Sequence, residues 1–320
     1  TIASKPTSDG LTPSVTSEEI LEYIPEVTEI CSITTYGLFN LDSTNICYQH
    51  WIAIVKCLKE HYTSYDGFVI THGTDTMAYT AAALSYMIQN SKKPIVITGS
   101  QRPLAAVDSD ARSNLLNAIV FACDSRAHGV HLLFDNKVIL GTRARKTHTK
   151  SFNAFKSIDF PEIAIVRDRR VRYYIEEKVS DDGPDFYTSL DPKVSVLRLV
   201  PGMNPDIFSF LKEHYDGLVI ESFGVGGIPC YDNEDFIDAV ADWIACGKAL
   251  VMTTQVPHEG SDMSVYMVGQ VIKKKYRLIE AYDMTTEAIV AKLMWILAQT
   301  KKPAEVREMF YRPVQNDLNI

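Results

Sequence analysis

A polar segment that could take part in acyl transfer directly follows the apolar run GFVIT (67–71). It reads HGTDT (72–76) and places the hydroxyl of Thr74 next to the carboxylate of Asp75. In parallel sheets, ligands bind beyond the carboxyl ends of the strands, where the next helix offers unpaired N–H groups. Spacing alone favours a simpler interpretation, in which Thr74, Asp75 or Thr76 caps that helix.

A second polar cluster, RARKTH (143–148), follows the run KVILGT (137–142). A lysine in such a loop is usually solvated. If Lys146 instead turns inward, its amine can accept the proton of a hydroxyl or lower the pKa of that hydroxyl. Thr74, Asp75 and Lys146 would then form an acyl-transfer triad in which threonine replaces serine. Sequence periodicity leaves open whether the three side chains meet in space.

A third cluster, LDSTN (41–45), precedes a helix that we expect to start near Tyr48. The simpler interpretation is again that a polar side chain of the cluster caps the helix. The same residue types could instead hold a zwitterionic amino acid. Hydroxyl and N–H groups would bind its carboxylate, and a carboxylate of the cluster would bind its ammonium.

The elements that must position these clusters follow a regular rhythm. Short β-branched runs end in small or polar residues, and a helical pattern comes next. Strands are expected at 67–71, 94–98, 129–134 and 137–142, with helices at 76–90 and 109–124. Continuous apolar strands that alternate with helices predict a parallel sheet that is covered on both faces.

Residues 168–193 interrupt the rhythm with mixed charge, glycine and proline, and we interpret them as an arm and a linker. The rhythm resumes with strands at 194–200, 217–222 and 249–254 and helices near 204–214, 232–246 and 285–299. The sequence therefore predicts an α/β fold with two domains. Residues 1–190 form a larger, catalytic N-terminal domain with a parallel sheet, and residues 191–320 form a smaller, flavodoxin-like domain.

The composition excludes several classes of protein. The chain has 320 residues, of which 46% are hydrophobic and 22% charged, as in ordinary globular proteins. No apolar run reaches the roughly 18 residues of a membrane helix, and the first ten residues lack a secretory pattern. The net charge of −8 and the short basic run at 273–275 argue against nucleic-acid binding, which needs clustered Lys and Arg.

The six cysteines, at positions 31, 47, 57, 123, 230 and 246, form no CxxC pair and have no histidine at zinc-ligand spacing. Cys57 and Cys123 lie in apolar helical patterns, where cysteine acts as a small hydrophobic residue. We therefore expect no disulfide framework, no metal and a reduced, cytoplasmic location.

Seven motifs together resemble the bacterial-type L-asparaginases, and specifically their cytosolic type I branch. They are TIAS (1–4), LDSTN (41–45), ITHGTDTM (70–77), ITGSQRP (97–103), RKTHT (145–149), SFGVGG (222–227) and DMTTEAIVAKL (283–293). The resemblance covers essentially the whole chain. It implies a larger N-terminal and a smaller C-terminal α/β domain, close dimers or dimers of dimers, and active sites near the intersubunit face. It also implies hydrolysis of L-asparagine to aspartate and ammonia without any cofactor.

The resemblance assigns four catalytic residues. Thr1 matches the threonine of the opening motif, which is taken as the first nucleophile. Thr74 matches the second threonine, with Asp75 and Lys146 as its partners. A threonine oxygen would attack the amide carbon, and backbone N–H groups around Thr1 and Thr74 would stabilise the oxyanion.

The resemblance also assigns the residues that bind the substrate. Asp42 and Ser43 match the positions that hold its α-groups, and Asp75 adds a salt bridge to its ammonium. The backbone of Ser100 matches the position that holds the departing amide. The full substrate-binding set is Asp42, Ser43, Gly73, Thr74, Asp75 and Ser100.

Three features depart from the family pattern. Relatives carry a short apolar strand and a glycine pair before the first threonine, so we expect residues upstream of Thr1; without that strand the sheet would have unpaired backbone groups and a groove. Leu11 stands where many relatives have a tyrosine that relays a proton, so Thr12 or water would have to act instead. Arg145 and Val256 stand where some relatives have a threonine and a cysteine of a regulatory site, so we expect no regulation by asparagine.

Four alternatives remain open at this point. The chain could use the α-amine of an N-terminal Thr1 as its base, as unrelated amidohydrolases do. It could be the amidase component of a tRNA-dependent amidotransferase, or an amino-acid sensor without turnover. It could also hydrolyse some glutamine, because one methylene separates the two substrates and is worth only about 1–3 kcal/mol in a pocket.

Overall fold

The chain folds as two units in the computed structural model, which describes residues 2, 4–7, 10–13, 16–176, 178–229, 235–265 and 278–319. Unit 1 comprises Thr1–Thr188 and unit 2 comprises Ser189–Ile320. Each unit combines helices with its own sheet, so the predicted α/β fold with two domains is confirmed.

The strands of unit 1 are β1 (Ser4–Thr7), β2 (Gly10–Pro13), β3 (Phe68–Thr71), β4 (Ile88–Gln89), β5 (Pro94–Thr98), β6 (Gly129–Phe134), β7 (Lys137–Leu140), β8 (Ala144–Lys146), β9 (Phe155–Ser157), β10 (Ala164–Arg167), β11 (Arg170–Tyr173) and β12 (Asp185–Phe186). Its helices are α1 (Ser17–Glu22), α2 (Tyr48–His61), α3 (Met77–Met87) and α4 (Ala111–Ala122), with 3-10 turns at Pro25–Glu29 and Ser43–Asn45.

The main sheet of unit 1 has six described strands in the order β11-β10-β7-β6-β5-β3. Strands β3, β5 and β6 are parallel, whereas β7, β10 and β11 join by antiparallel pairing, so the sheet is mixed rather than wholly parallel. The reversal after β6 is made by Asp135 and Asn136, which both have positive φ, at 49° and 65°. Two such residues form the tight turn of a β-hairpin.

Residues 168–193, which we interpreted as an arm and a linker, are partly built into unit 1. Strand β11 is an outer strand of the main sheet, and β12 pairs antiparallel with the short strand β4. Asp168 and Arg169 make the β10–β11 turn, again with positive φ.

Helix α3 is the most deeply buried helix of unit 1, with every residue but Tyr79 buried. A helix that is apolar on all sides belongs in the interior of a protein. The chain that leads from β7 to β8 passes very close to it, because a Cβ added at Gly141 would lie 2.7 Å from the Ala81 carbonyl oxygen. This close approach fixes the path of the chain towards Lys146.

A cavity of about 1090 Å³ lies beside β3, which ends the described sheet on that side. Residues Phe68, Val69 and Ile70 of β3 are only half-buried, whereas all of β5 is buried. Residues 31–42, several of which line the same cavity, form no regular helix or strand. The cavity therefore lies along β3 and is lined on another side by this irregular segment.

Unit 2 has a purely parallel sheet in the order β13-β14-β15-β16, formed by β13 (Val194–Arg198), β14 (Gly217–Ser222), β15 (Ala249–Thr254) and β16 (Ile279–Glu280). Its described helices are α5 (Ile207–His214), α6 (Asp235–Ala245), α7 (Thr286–Leu297) and α8 (Pro303–Tyr311). Leu218, Ile220, Trp243 and Met252 lie at the centre of its core.

A fully buried ion pair fixes the C-terminal segment of unit 2. Lys292 of α7 and Asp317 are both 0% exposed, and Lys292 Nζ lies 2.7 Å from Asp317 Oδ2. The same ammonium donates to the Arg312 carbonyl at 2.9 Å, and Asp317 Oδ1 accepts from the Val314 N–H. Burial lowers the pKa of Lys292 from its ordinary value, which the nearby Asp317 carboxylate opposes.

Candidate active site

The HGTDT segment forms the loop between β3 and α3. Because β3 and β5 are parallel neighbours, the loop begins beside the end of β5, where the His72 N–H donates to the Thr98 carbonyl at 2.8 Å. Thr74 is buried, and the carboxylate-bearing side chain of Asp75 is 58% exposed. The loop therefore presents a sheltered hydroxyl beside an accessible carboxylate.

Lys146 turns inward to this loop from β8. Its Nζ lies 2.8 Å from Thr74 Oγ1 and 2.6 Å from Asp75 Oδ1, and its side chain is only 17% exposed. The antiparallel pairing of β8 with β9 holds it there, with Lys146 opposite Phe155. Thr74, Asp75 and Lys146 thus meet in space, although Lys146 follows Asp75 by 71 positions in the sequence.

Gln101 completes the surroundings of the Thr74 hydroxyl. Thr74 Oγ1 donates to Gln101 Oε1 at 3.3 Å while it accepts from Lys146. The amide nitrogen of Gln101 donates to the Ser151 carbonyl at 3.0 Å, and its backbone N–H donates to the Asp110 carboxylate. Sequence reasoning missed Gln101. The signal that could have identified it is its position directly after Ser100 in the GSQ motif.

The LDSTN cluster packs against the same loop. Asp42 caps the 3-10 turn Ser43–Asn45 rather than helix α2, because its Oδ1 accepts from the Thr44 N–H at 2.8 Å and the Thr44 hydroxyl at 2.7 Å. These bonds, the backbone one first, hold the pKa of the Asp42 carboxyl below its ordinary value. Ser43 is buried, and a Cβ added at Gly73 would lie 2.6 Å from Ser43 Oγ.

Ser100 lies in the loop after β5, beside the HGTDT loop. It is fully buried, and its hydroxyl donates to the Arg102 carbonyl at 2.5 Å. The two loops touch through their backbones, since a Cβ added at Gly99 would overlap the His72 carbonyl oxygen. The structure therefore brings together seven of the eight site residues that the sequence predicted.

The eighth residue, Thr1, lies outside the described residues. Its neighbour Ile2 is buried among Ile20, Leu115 and Ile119, and the Ile2 carbonyl accepts from the Leu104 N–H at 3.3 Å. The backbone of Leu11 lies in β2, paired with Pro6 of β1.

A chain of hydrogen bonds connects the HGTDT loop to buried side chains of helices α2 and α3. The Trp51 indole N–H donates to the Thr80 hydroxyl at 2.9 Å, Thr80 lies 2.9 Å from His72 Nε2, and His72 Nδ1 lies 2.7 Å from the Gly73 carbonyl. This pattern fits a neutral imidazole with its proton on Nδ1. Burial lowers the pKa of His72, which favours the neutral form, although the Gly73 carbonyl acts in the opposite direction.

Metal-binding clusters and membrane-spanning helices are both missing from the described residues. These residues contain no group of three or more His, Cys, Asp or Glu side chains that could hold a metal ion. Within the same part of the chain, no helix is long and apolar enough to cross a membrane.

The chemistry open to this arrangement is nucleophilic. A threonine hydroxyl is a weak nucleophile at neutral pH and needs a base within hydrogen-bonding reach. Thr74 has an amine at 2.8 Å, and that amine has a carboxylate at 2.6 Å to orient it. The spatial order of these groups is that of the nucleophile, base and orienting group in a catalytic triad, with lysine in the place of histidine.

Comparison with known proteins gives matches over nearly the whole chain. The family model for the asparaginase N-terminal region matches residues 1–179, and the model for the glutaminase/asparaginase C-terminal domain matches residues 193–310. The L-asparaginase of Thermococcus kodakarensis is 39% identical over 319 residues, which cover 99% of this chain and 96% of that protein.

Two further comparisons add detail. One component of the glutamyl-tRNA(Gln) amidotransferase of Pyrococcus abyssi is 33% identical over 308 residues, which cover 93% of this chain and 69% of that protein. The solved structure of the thermostable L-asparaginase from Thermococcus kodakarensis superposes with a TM-score of 0.92 at 38% identity. That superposition covers 100% of this chain and 97% of the other.

Proposed function

Because this chain belongs to the asparaginase and glutaminase family of amidohydrolases, we propose that it hydrolyses the side-chain amide of L-asparagine to L-aspartate and ammonia. The observation that carries the proposal is the contact of Lys146 Nζ with both Thr74 Oγ1 and Asp75 Oδ1. The identity to an L-asparaginase along nearly all of the chain supports it. No cofactor takes part in the proposed reaction.

The proposed mechanism passes through a threonine ester. The oxygen of Thr1, the proposed first nucleophile, forms a bond to the amide carbon while its proton passes to a base. The carbon–nitrogen bond then breaks, and the nitrogen takes up that proton and leaves as ammonia. Water attacks the ester next, returns a proton to the threonine oxygen and releases aspartate. Backbone N–H groups around Thr1 and Thr74 would stabilise the oxyanion of both steps.

Lys146 is the proposed base for Thr74, the second threonine. In the structure Lys146 donates to the Thr74 oxygen, and the Thr74 hydroxyl donates to Gln101. For proton transfer, the lysine must first give up a proton and the hydroxyl must turn from Gln101 towards it. The Asp75 carboxylate at 2.6 Å keeps the amine in place during this change.

The substrate would lie across the three loops. Asp42 and Ser43 would hold its α-groups, Asp75 would pair with its ammonium, and the backbone of Ser100 would hold the departing amide. Gly73 and Thr74 would line the site beside Ser43, with which Gly73 is in close contact. A minor activity on glutamine is part of the proposal.

We keep several sequence predictions as proposals. Residues 1–190 would form the catalytic domain and residues 191–320 the second domain, the chain would form a homodimer or a dimer of dimers, and it would act in the cytoplasm. Arg145 and Val256 would leave it without regulation by asparagine.

The test is ammonia release from asparagine and from glutamine by the purified chain. Thr1→Ala, Thr74→Ala and Lys146→Ala should each lower the asparagine rate by at least about 100-fold, the usual loss for a group in acid–base or nucleophilic catalysis. Lys156→Ala is the control, because Lys156 is exposed on the adjacent strand β9. Equal rates for Lys146→Ala and Lys156→Ala would contradict the role of Lys146.

A second candidate function is that of an amidase acting within a larger amidotransferase, which the 33% identity to the Pyrococcus abyssi component favours. The same assay separates the two functions. Turnover of free asparagine by the chain alone supports the asparaginase, and turnover that requires a partner protein supports the amidotransferase component. Asparagine binding without ammonia release would instead support an amino-acid sensor.

A further inference from the structure

Thr76 occupies the N-cap of helix α3 but does not cap it. Threonine is favoured at this position because its side-chain oxygen can accept from the second or third N–H of the helix. In the described first turn of α3, the Thr76 side chain makes no such bond. Its hydroxyl donates instead to the backbone carbonyl of Ser43, at 2.7 Å and across 33 residues of sequence. Thr76 thus lacks the capping bond that its position favours and instead makes a bond to a residue far away in sequence. Such departures from a local preference often occur at functional positions.

The acceptor of this bond lies inside the turn that carries the proposed substrate anchors. The Ser43 carbonyl also accepts from the Ile46 N–H at 3.1 Å, which closes the 3-10 turn, and the Asn45 N–H donates to the Asp42 carbonyl at 3.0 Å. Gly73 packs directly against the Ser43 side chain. Thr76 and Gly73 therefore hold the turn from the HGTDT loop, one by a hydrogen bond and the other by contact.

We propose that Thr76 is a positioning residue, which holds the anchors Asp42 and Ser43 in the conformation that binds the α-groups of the substrate. The proposal rests on the proposed function, since it assumes that the turn binds the α-groups of the substrate. Thr76 lies two residues from Thr74 in one short loop, so a bond from Thr76 to the turn ties the anchors to the reacting groups. The bond therefore keeps Asp42 and Ser43 where they would bind the α-groups.

The proposal predicts a specific kinetic pattern. Contacts to the α-groups are made equally in the ground state and in the transition state, so their loss raises KM and leaves kcat nearly unchanged. Thr76→Val removes the hydroxyl and keeps the shape of the side chain. We expect KM for asparagine to rise about tenfold and kcat to change by less than about threefold. Thr76→Ser keeps the hydroxyl and should restore the KM of the unaltered protein.

A second readout needs no substrate. Hydrogen exchange of the Asn45 and Ile46 amides reports whether the turn is held. Both amides should exchange about tenfold faster in Thr76→Val than in Thr76→Ser, because a local opening controls exchange. If Thr76→Val does not fold, Thr76→Ala carries the same two expectations.

The matched control is Thr28→Val, which deletes another hydroxyl that donates to a carbonyl, that of Pro25 at 2.9 Å, in a segment without proposed site residues. It should leave KM and the two amides unchanged. An unchanged KM in Thr76→Val, or an equal fall in kcat, would overturn the positioning role. Failure of the proposed function looks different, because the unaltered protein would then not turn over asparagine at all, while the exchange result would still decide whether Thr76 holds the turn.

Discussion

The Thr74 hydroxyl lies between a donor and an acceptor, and this sets its direction. Lys146 donates to the oxygen at 2.8 Å, so the hydrogen points to Gln101 Oε1 at 3.3 Å. Gln101 is itself fixed by bonds to the Ser151 carbonyl and the Asp110 carboxylate. The amide thus orients a hydroxyl without taking its proton.

Replacement of Gln101 tests whether its hydrogen bonds hold Thr74 beside Lys146. Gln101→Met has a similar shape but neither accepts from Thr74 nor donates to Ser151. The loss of these two bonds, each worth about 0.5–1.5 kcal/mol, should loosen the placement of Thr74, so we expect kcat/KM for asparagine to fall about tenfold. Arg102→Ala, which changes the exposed neighbour, serves as the control in the same ammonia assay. A Gln101→Met variant as active as Arg102→Ala would show that activity does not depend on the bonds of Gln101 to Thr74 and Ser151.

His72 makes stability depend on pH. Burial lowers the pKa of its imidazole in the folded state, whereas the unfolded chain has the ordinary value of about 6.5. Between these two pKa values the unfolded state binds more protons, so the free energy of unfolding falls as pH drops below about 6.5. One proton contributes at most about 1.4 kcal/mol per pH unit.

Urea unfolding at pH 7.5 and at pH 5 measures this effect. The loss of stability at pH 5 should be smaller in His72→Gln than in the unaltered protein, because glutamine does not titrate. His128→Gln is the control, since His128 lies at the surface and bonds to the Arg126 carbonyl. Identical losses in both variants would assign the pH dependence to other groups.

At the level of residues, motifs predicted the reactive groups but not their supports. Thr74, Asp75 and Lys146 stood out because their types and their places after strands suit acyl transfer. Gln101 and Thr80 did not, because an amide or a hydroxyl gains its role from a partner that only the folded chain brings near. Asp42 was expected to bind substrate or cap a helix, and it caps its own 3-10 turn.

Among the elements, strand β3 is open to further pairing. It ends the described sheet, its apolar residues are half-buried, and the cavity beside it measures about 1090 Å³. The buried Ile2 packs on Ile20 and Ile119, which also line that cavity. The apolar cluster around Ile2 is therefore continuous with the lining of the cavity.

The antiparallel pairing of β6 and β7 could not be predicted from the pattern of apolar runs alone. Runs 129–134 and 137–142 resemble two parallel strands in composition. Only two residues separate them, however, whereas a parallel connection needs a dozen or more. The Asp-Asn pair was the signal for a hairpin, and the apolar character of both strands hid it because both lie in the interior.

For the molecule as a whole, each unit has its own core, and unit 2 depends on a buried charge pair. Removal of one partner of such a pair leaves an uncompensated charge and costs about 3–5 kcal/mol. We therefore expect Asp317→Leu and Lys292→Met each to lower the urea midpoint strongly. The double variant Lys292→Met/Asp317→Leu should recover much of the loss, because apolar residues can replace the pair.

The control for this cycle is an exposed pair of the same unit, Lys302 with Glu305. Glu305→Gln should shift the midpoint little, since exposed ion pairs contribute about 0–1 kcal/mol. Additive losses in the double variant would show that Lys292 and Asp317 act independently. The sequence does not predict this pair, because Lys292 is one polar residue of a helix and Asp317 lies 25 positions later in a polar segment.

Two glycines of the site are closed to a side chain for different reasons. At Gly73 the obstacle is another side chain, that of Ser43, so the two positions share one volume. Because Ser43 is also a proposed substrate anchor, an alanine at 73 would displace a group that binds the substrate, and a saturation screen for asparagine hydrolysis should return only glycine there. At Gly99 the obstacle is the His72 backbone, which no second mutation removes. The first glycine is therefore kept by what its neighbour binds, and the second by the path of the chain itself.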